Sequence, residues 1–199
     1  MNSRGAGRAL LALACALFLV ALARDRVETW IEITDLPPLL QPTSTEVRAR
    51  DGTLLRLYTV EDGLWRMEPG AVDPLFESML IAYEDRRFFD HAGVDALAAL
   101  RAAAQALRHG RVVSGASTLT MQVARILHPH PRTLRGKAEQ MFRAIQLERR
   151  FSKREILTLY LNHAPFGGPI EGVQAASFAY LGKSPRELSH AEAALLAVL

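Results

Sequence analysis

Residues 84 to 95 read Glu-Asp-Arg-Arg-Phe-Phe-Asp-His-Ala-Gly-Val-Asp. A carboxylate with arginines close by can act as a general base, because a guanidinium pointing its way favours the ionised form. Downstream, Gly115-Ala116-Ser117-Thr118-Leu119-Thr120-Met121-Gln122 strings hydroxyl and amide side chains together. Such groups hydrogen-bond phosphate oxygens and sugar hydroxyls. Glu84 is therefore the candidate base, and Ser117, Thr118, Thr120 and Gln122 are candidate ligands, for chemistry on sugars and phosphates. Arg125, Arg132, Arg135 and Lys137 follow and suit a phosphate, arginine as a bidentate fork and lysine as a point charge. Each has a bland alternative. Glu84 can be a solvated surface charge, each cation an ordinary helix-surface residue, and Ser117 a helix N-cap. Asp85 reads as structural, accepting local backbone N–H bonds. His91 reads as a satisfied polar residue, with a hydrogen-bond role behind the site as the alternative. Phe88 and Phe89 read as core.

Rigid elements must hold these groups. Residues 46–50 and 53–58 flank Asp51-Gly52, which predicts a β-hairpin closed by a tight turn with positive φ at both central positions. Asp73-Pro74 predicts a capped helix running to about Tyr83, with Glu84 at or just past its end. Asp95 can cap a second helix over 96–108, closed by Gly110. Residues 110–115, with Arg111 and Ser114, read as a mobile loop. The pattern is helical over 118–127 and is broken by His128-Pro129-His130-Pro131. A long amphipathic helix is expected over 133–150. Ser152-x-x-Glu155 is a capping box opening a helix over 153–161. Helices are also expected over 172–180, after Ser184-Pro185-x-Glu187, and after Ser189-x-x-Glu192.

The chain has 199 residues, 49% of them hydrophobic, and a formal charge of +3. That suffices for one domain with a sizeable core and excludes a disordered chain. The basic excess suits either solubility or anionic lipids and phosphorylated substrates. No basic block is dense enough for nucleic acid. Cys15 is the one cysteine, so cysteine supports no internal disulfide. No His/Asp/Glu cluster has metal-ligand spacing, and His128-x-His130 reads as a polar loop. Residues 10–23 are unbroken apolar sequence, fourteen residues against the about 20 of a spanning helix. A cleaved signal with Ala21-Leu22-Ala23 as its cleavage pattern and an uncleaved anchor, lengthened by a snorkelling Arg8, both fit. Residues 24–44, with Pro37-Pro38 and Pro42, read as a linker, and 45–199 as the domain. Its last helix is still apolar at Leu199, which suggests that the domain continues.

The two segments first described resemble the first two motifs of the peptidoglycan glycosyltransferases, glycosyltransferase family 51. Lys153-Arg154-Glu155-Ile156-Leu157-Thr158-Leu159-Tyr160-Leu161-Asn162 resembles the fourth, and Glu171-Gly172-Val173-Gln174-Ala175-Ala176, ending in Tyr180-Leu181-Gly182-Lys183, the fifth. The resemblance implies a mostly α, lysozyme-like domain with a small N-terminal β-hairpin, preceded by one uncleaved membrane-anchor helix. The activity it implies is polymerisation of lipid II into β-1,4 glycan strands. The acceptor's 4-hydroxyl, deprotonated by Glu84, displaces undecaprenyl pyrophosphate with inversion. Arg125 and Lys137 match cationic family positions, and Lys153 and Lys183 match motif lysines. Met121 stands where the family usually has a glutamine. In the third motif, Arg-Lys-x-x-Glu, Gly136 falls on the Arg and Gln140 on the Glu, unless Glu139 substitutes through a local shift. These variants, with Leu161-Asn162-His163-Ala164-Pro165-Phe166-Gly167-Gly168, resemble the 1C class of bifunctional penicillin-binding proteins. Implied partners are lipid II, the growing glycan chain, the cytoplasmic membrane with the domain on its outer face, and other cell-wall synthesis proteins. The sequence itself requires no cofactor; the resemblance admits a divalent cation, Mg or Mn. Two rivals remain, a lysozyme-like lytic enzyme and a non-catalytic scaffold.

Overall fold

A computed structural model describes residues 3–36, 39, 41–109 and 117–199. The loop expected over 110–115, the closing Gly110, Pro37-Pro38 and Gly115-Ala116 of the second motif lie outside the described residues. The chain forms two compact units, Met1–Leu36 and Pro37–Leu199.

The first unit is α1 (Ser3–Ile33). It runs well past the apolar stretch, so residues 24–33 are helical where a linker was expected. No proline or glycine interrupts them, and Arg24 Nε donates to Glu28 Oε1 at 2.8 Å across one turn. Leu11, Leu13, Leu17, Phe18 and Leu19 are exposed. Among the described residues no helix is long and apolar enough to cross a membrane, so the expected anchor is not seen as a span.

The second unit opens on an antiparallel hairpin, β1 (Glu46–Arg48) with β2 (Leu54–Leu57). Its loop has three residues instead of two. Ala49 N donates to Thr53 O at 2.8 Å and Gly52 N to Ala49 O at 3.0 Å, and Asp51 keeps a negative φ. Gly52 alone takes a positive φ, the pattern of a turn followed by a one-residue bulge. β3 (Trp65–Arg66) pairs in parallel with the distant β4 (Ile170–Glu171), a ladder too short and too non-local to leave a sequence pattern.

The rest is helical: α2 (Pro74–Glu84), α3 (Ala96–His109), α4 (Leu119–Leu127), α5 (Leu134–Arg150), α6 (Lys153–His163), α7 (Val173–Leu181) and α8 (His190–Val198). Both expected capping boxes form, at Ser152/Glu155 and Ser189/Glu192. No helix follows Ser184. That segment makes one turn, Glu187 N to Ser184 O at 3.2 Å, and Pro185 O instead accepts from Asp73 N at 2.8 Å, at the head of α2. α4 packs on α5 and α6, and α2 on α8. Phe76 and Leu80, Leu119, Met121 and Val123, Leu147, Ile156 and Leu157, and Leu196 fill the interior. Burial of such side chains, at roughly 1.5–3 kcal/mol each, is what sets α2 and α4 in fixed relation.

Candidate active site

Glu84 is the last residue of α2, and Asp73 pins the other end by accepting from Leu75 N at 2.7 Å. At Asp85 the backbone leaves the helix, with φ −156° and ψ 75°. The Asp85 carboxylate is buried and accepts from Leu119 N at 2.9 Å, at the start of α4. Helix N-terminal N–H groups lack intrahelical partners and carry partial positive charge, so a carboxylate is well matched there. His91 Nε2 donates to the same carboxylate at 3.0 Å. Asp85 therefore ties two helices together over a long range, where local bonds were expected. His91 sits in that tie, and among the described residues its buried Nδ1 has no hydrogen-bond partner.

A second tie runs alongside. Arg87 forks onto Asp95, with Nε to Oδ2 at 3.0 Å and a further bond from its terminal nitrogen to Oδ1. Asp95 also caps α3 through Ala98 N at 2.8 Å. The Arg87 guanidinium first, and the Ala98 N–H as well, hold the Asp95 carboxyl down to about 2. Thr118 Oγ1 donates to Gly93 O at 2.6 Å and accepts from Met121 N at 3.1 Å. Thr118, not Ser117, is thus the N-cap of α4, and its buried hydroxyl is already committed. Gly93 has a φ of +90°, and a Cβ there would fall 2.8 Å from Ala144 O, so no other residue fits.

Gln122 Nε2 donates to Glu84 Oε2 at 2.7 Å. Among the described residues Glu84 Oε1 has no such partner. Tyr160, on α6, is buried nearby. Burial first, and the Glu84 charge second, push its hydroxyl above the usual phenol range. Three cavities lie side by side, the first joined to the second at Ser117 and the second to the third at Gln122 and Arg125. One of about 360 Å³ is lined by Glu84, Arg87, Arg101 and Ser117. One of about 650 Å³ is lined by Ser117, Gln122, Arg125, Arg132, Lys137 and Gln140. The third, about 400 Å³, shares Gln122 and Arg125 and adds the apolar Leu64, Ile126 and Ile170.

The middle cavity is cationic. Lys137 Nζ donates to Ser117 Oγ at 2.6 Å and to Gln140 Oε1 at 3.1 Å. Burial first, then the Arg125 charge, push the Lys137 ammonium below its ordinary value. An anion in this space would relieve both effects. Gln140 is buried, and its Nε2 donates to Met121 O at 2.6 Å, a bond a carboxylate could not make. Gln140, and not Glu139, therefore occupies the third-motif position on the cavity wall. Glu139 turns to the loop and accepts from His128 Nε2 at 2.9 Å. Met121 itself is buried in the core.

Other candidates lie elsewhere. Lys153 Nζ is 2.7 Å from Glu148 Oε1 and 4.4 Å from the centre of the Phe88 ring, and it borders none of these three cavities. Lys153, a motif lysine expected to bind substrate, is here a half-buried cation paired with Glu148. Thr120 is fully buried and donates to Glu148 Oε1 at 2.5 Å. Arg135 is exposed and borders none of the three, and Lys183 pairs with Glu192 at 2.7 Å. Phe88 is core, whereas Phe89 is exposed. Sequence reasoning missed Tyr160 and Glu148, since no local pattern marks a residue that meets the site across helices. It also missed the role of Glu171, which Arg66 grips through Nε at 2.6 Å and its terminal nitrogen at 2.7 Å. Burial pushes Glu171 up, but hydrogen bonds from His163 and Arg66 outweigh it and leave its pKa lowered. Among the described residues no group of three or more His, Cys, Asp and Glu side chains gathers as a metal site requires.

The family model described as Transglycosylase matches residues 57–199. The chain belongs to the transglycosylase family. The match takes in Glu84, Gln122, Arg125, Lys137 and the three cavities, and leaves out α1 and β1. Penicillin-binding protein 1C of Escherichia coli K12 is 50% identical over 202 residues, covering 100% of this chain and 25% of its own length. Penicillin-binding protein 1A of Aquifex aeolicus is 40% identical over 171 residues, 82% of this chain and 23% of its own length. Penicillin-binding protein 2D of Bacillus subtilis 168 is 38% identical over 162 residues, 81% and 23%. This transglycosylase chain thus spans about a quarter of the length of these curated relatives.

Proposed function

We propose that this transglycosylase domain is a peptidoglycan glycosyltransferase that polymerises lipid II into β-1,4-linked glycan strands, with Glu84 as its general base. The observation that carries the reading is Gln122, which holds the Glu84 carboxylate by one hydrogen bond while bordering the cationic cavity. A base and an anion site are thereby coupled through one side chain. The acceptor's 4-hydroxyl gives its proton to Glu84 and its oxygen bonds to the donor's anomeric carbon. The bond from that carbon to the pyrophosphate oxygen breaks on the opposite face, with inversion. The departing undecaprenyl pyrophosphate carries its charge towards Arg125, Arg132 and Lys137, which are in place before the charge arrives. Tyr160, neutral as any phenol is near pH 7, adds no competing charge beside Glu84.

The substrate is lipid-linked, so the domain works at the outer face of the cytoplasmic membrane. The apolar run of α1, with Leu11, Leu17 and Phe18 exposed, is the segment that holds it there. Leu97 and Leu100, exposed on α3, are apolar surface of the kind a polyprenyl tail needs. A scaffold that binds precursor without turnover is the second reading. Gln140 supports it, because an amide stands where the family resemblance places a carboxylate. A lytic enzyme has no use for a cation-lined cavity beside its carboxylate.

Polymerisation of labelled lipid II in detergent, by the parent and by Glu84→Gln, tests the reading. Glycan strands from the parent, with a loss of about a hundredfold or more in the variant, support it. Equal rates would remove Glu84 as base. Precursor binding without product, also in a longer chain, would favour the scaffold.

A further inference from the structure

The loop between α4 and α5, His128-Pro129-His130-Pro131, is built around one glycine. His130 Nδ1 donates to His128 O at 2.9 Å, because a carbonyl can only accept. Thr133 N donates to Pro131 O at 2.9 Å. These bonds press the loop onto the first turn of α5 at Gly136. A Cβ on Gly136 would fall 2.2 Å from Pro131 O and 2.9 Å from His130 Cδ2. Backbone cannot give way as a flexible side chain can, so position 136 admits no side chain, and an arginine least of all.

What stands on that side of α5 instead is the His130 ring. It is half-buried and lines the same cavity as Arg125, Arg132, Lys137 and Gln140. The two histidines of the loop are not equivalent. His128 Nε2 is taken by Glu139 at 2.9 Å. His130 has spent Nδ1 on the loop, and among the described residues its Nε2 has no hydrogen-bond partner. An imidazole carries two hydrogen-bonding atoms, so Nε2 is the atom left to offer a ligand in a cavity whose other walls carry three cations.

We propose that His130 is a further substrate-binding residue, contacting the pyrophosphate of the lipid-linked donor through Nε2 as the imidazolium, whose two nitrogens both donate, in the space that a side chain at Gly136 would otherwise reach. The proposal rests on reading the middle cavity as the phosphate end of the site. The loop has two coupled jobs. It bars any side chain from position 136, and it supplies in its place a ring whose orientation is set by the bond from Nδ1 to the His128 carbonyl.

Two substitutions separate the ring's two nitrogens. The amide of His130→Asn can reproduce the Nδ1 donor to His128 O and removes Nε2. That of His130→Gln reaches as far as Nε2 and gives up the Nδ1 contact. Inorganic pyrophosphate, titrated calorimetrically into each variant and into Lys137→Met, is the probe, with the KM for lipid II as the second readout. We expect His130→Asn to weaken pyrophosphate binding about tenfold and raise KM by a similar factor, with kcat within about threefold of the parent. His130→Gln should stay within about threefold of the parent in binding. The reverse order, Asn binding like the parent and Gln losing affinity, would show that His130 only shapes the loop and would overturn the proposal. If neither the parent nor Lys137→Met differs from a no-binding baseline, the cavity is not the phosphate end, and the underlying reading falls with the proposal. Loss in Lys137→Met with both His130 variants unchanged leaves the cavity's role intact and removes His130 from it.

Discussion

The two sides of Gln122 handle charge in opposite ways. On the Glu84 side, charges are answered within the fold. Asp85 receives His91 and the first amide of α4, and Asp95 receives Arg87 and the first turn of α3. On the other side burial, and then the Arg125 charge, disfavour the Lys137 ammonium, and among the described residues neither cation has a carboxylate partner. Lys137 leans on a hydroxyl and an amide instead. The first region uses charge to fix geometry, which a base needs if it is to meet a hydroxyl within hydrogen-bond reach. The second leaves charge uncompensated, which costs folding stability and which an anion bound as proposed would offset. Buried carboxylates here hold the fold together, whereas the cavity cations Arg125 and Lys137 are left without a carboxylate among the described residues.

The contrast breaks first at Asp85. Asp85→Ala leaves a buried helix N-terminal N–H and the His91 ring without their acceptor, and should cost about 3 kcal/mol in urea unfolding. A loss below about 1 kcal/mol would show that the corner is not held by this carboxylate. Gln140→Leu keeps the volume but removes the buried second bond to the Met121 carbonyl and an acceptor from Lys137. A loss of about 2 kcal/mol is expected, and a neutral result would mean that the amide serves substrate alone. Lys137→Met sharpens the contrast, since it removes a charge that burial and Arg125 already disfavour. Its stability should match the parent or exceed it by up to about 1 kcal/mol, while pyrophosphate binding weakens at least about tenfold. Destabilisation as large as that of Asp85→Ala would erase the distinction between the two regions.

The smallest effect is in the pH dependence. The folded Asp95 carboxyl lies at about 2 against an ordinary 3.8, chiefly because of Arg87. Between those values the unfolded chain binds more protons, so stability falls as pH falls. The contribution is complete above about pH 4 and fades as the pH approaches about 2. Asp95→Asn should flatten that part of the melting curve by about 3 °C between pH 5 and 2. An unchanged acid limb would place the proton uptake on other carboxylates.

Much of the scaffold was legible because its signals are local. Asp73-Pro74, Ser152 with Glu155, and Ser189 with Glu192 each cap the helix they announce. A cap bonds to amides two or three residues away, and so leaves its mark within one turn of sequence. The segment after Ser184 carries the same mark and forms no helix, because Asp73 takes the Pro185 carbonyl from far along the chain. The hairpin announced by Asp51-Gly52 formed with a longer loop, since only Gly52 takes the positive φ that a two-residue turn asks of both positions.

The sequence by itself determined the order of the helices, the end of α2 at Glu84, the family, and the chemical types gathered for the site. Those rest on neighbours in the chain and on residue identity. Tertiary structure alone decided which of these residues meet. It gave Glu84 the amide of Gln122, and it turned Gln140 inward and Glu139 out. It spent Lys153, Thr118 and Thr120 on the protein's own groups, and it closed position 136 with the Pro131 carbonyl. Each of those outcomes is a contact between separate segments, made when the apolar faces of α4, α5 and α6 pack and fix which side chains share a cavity.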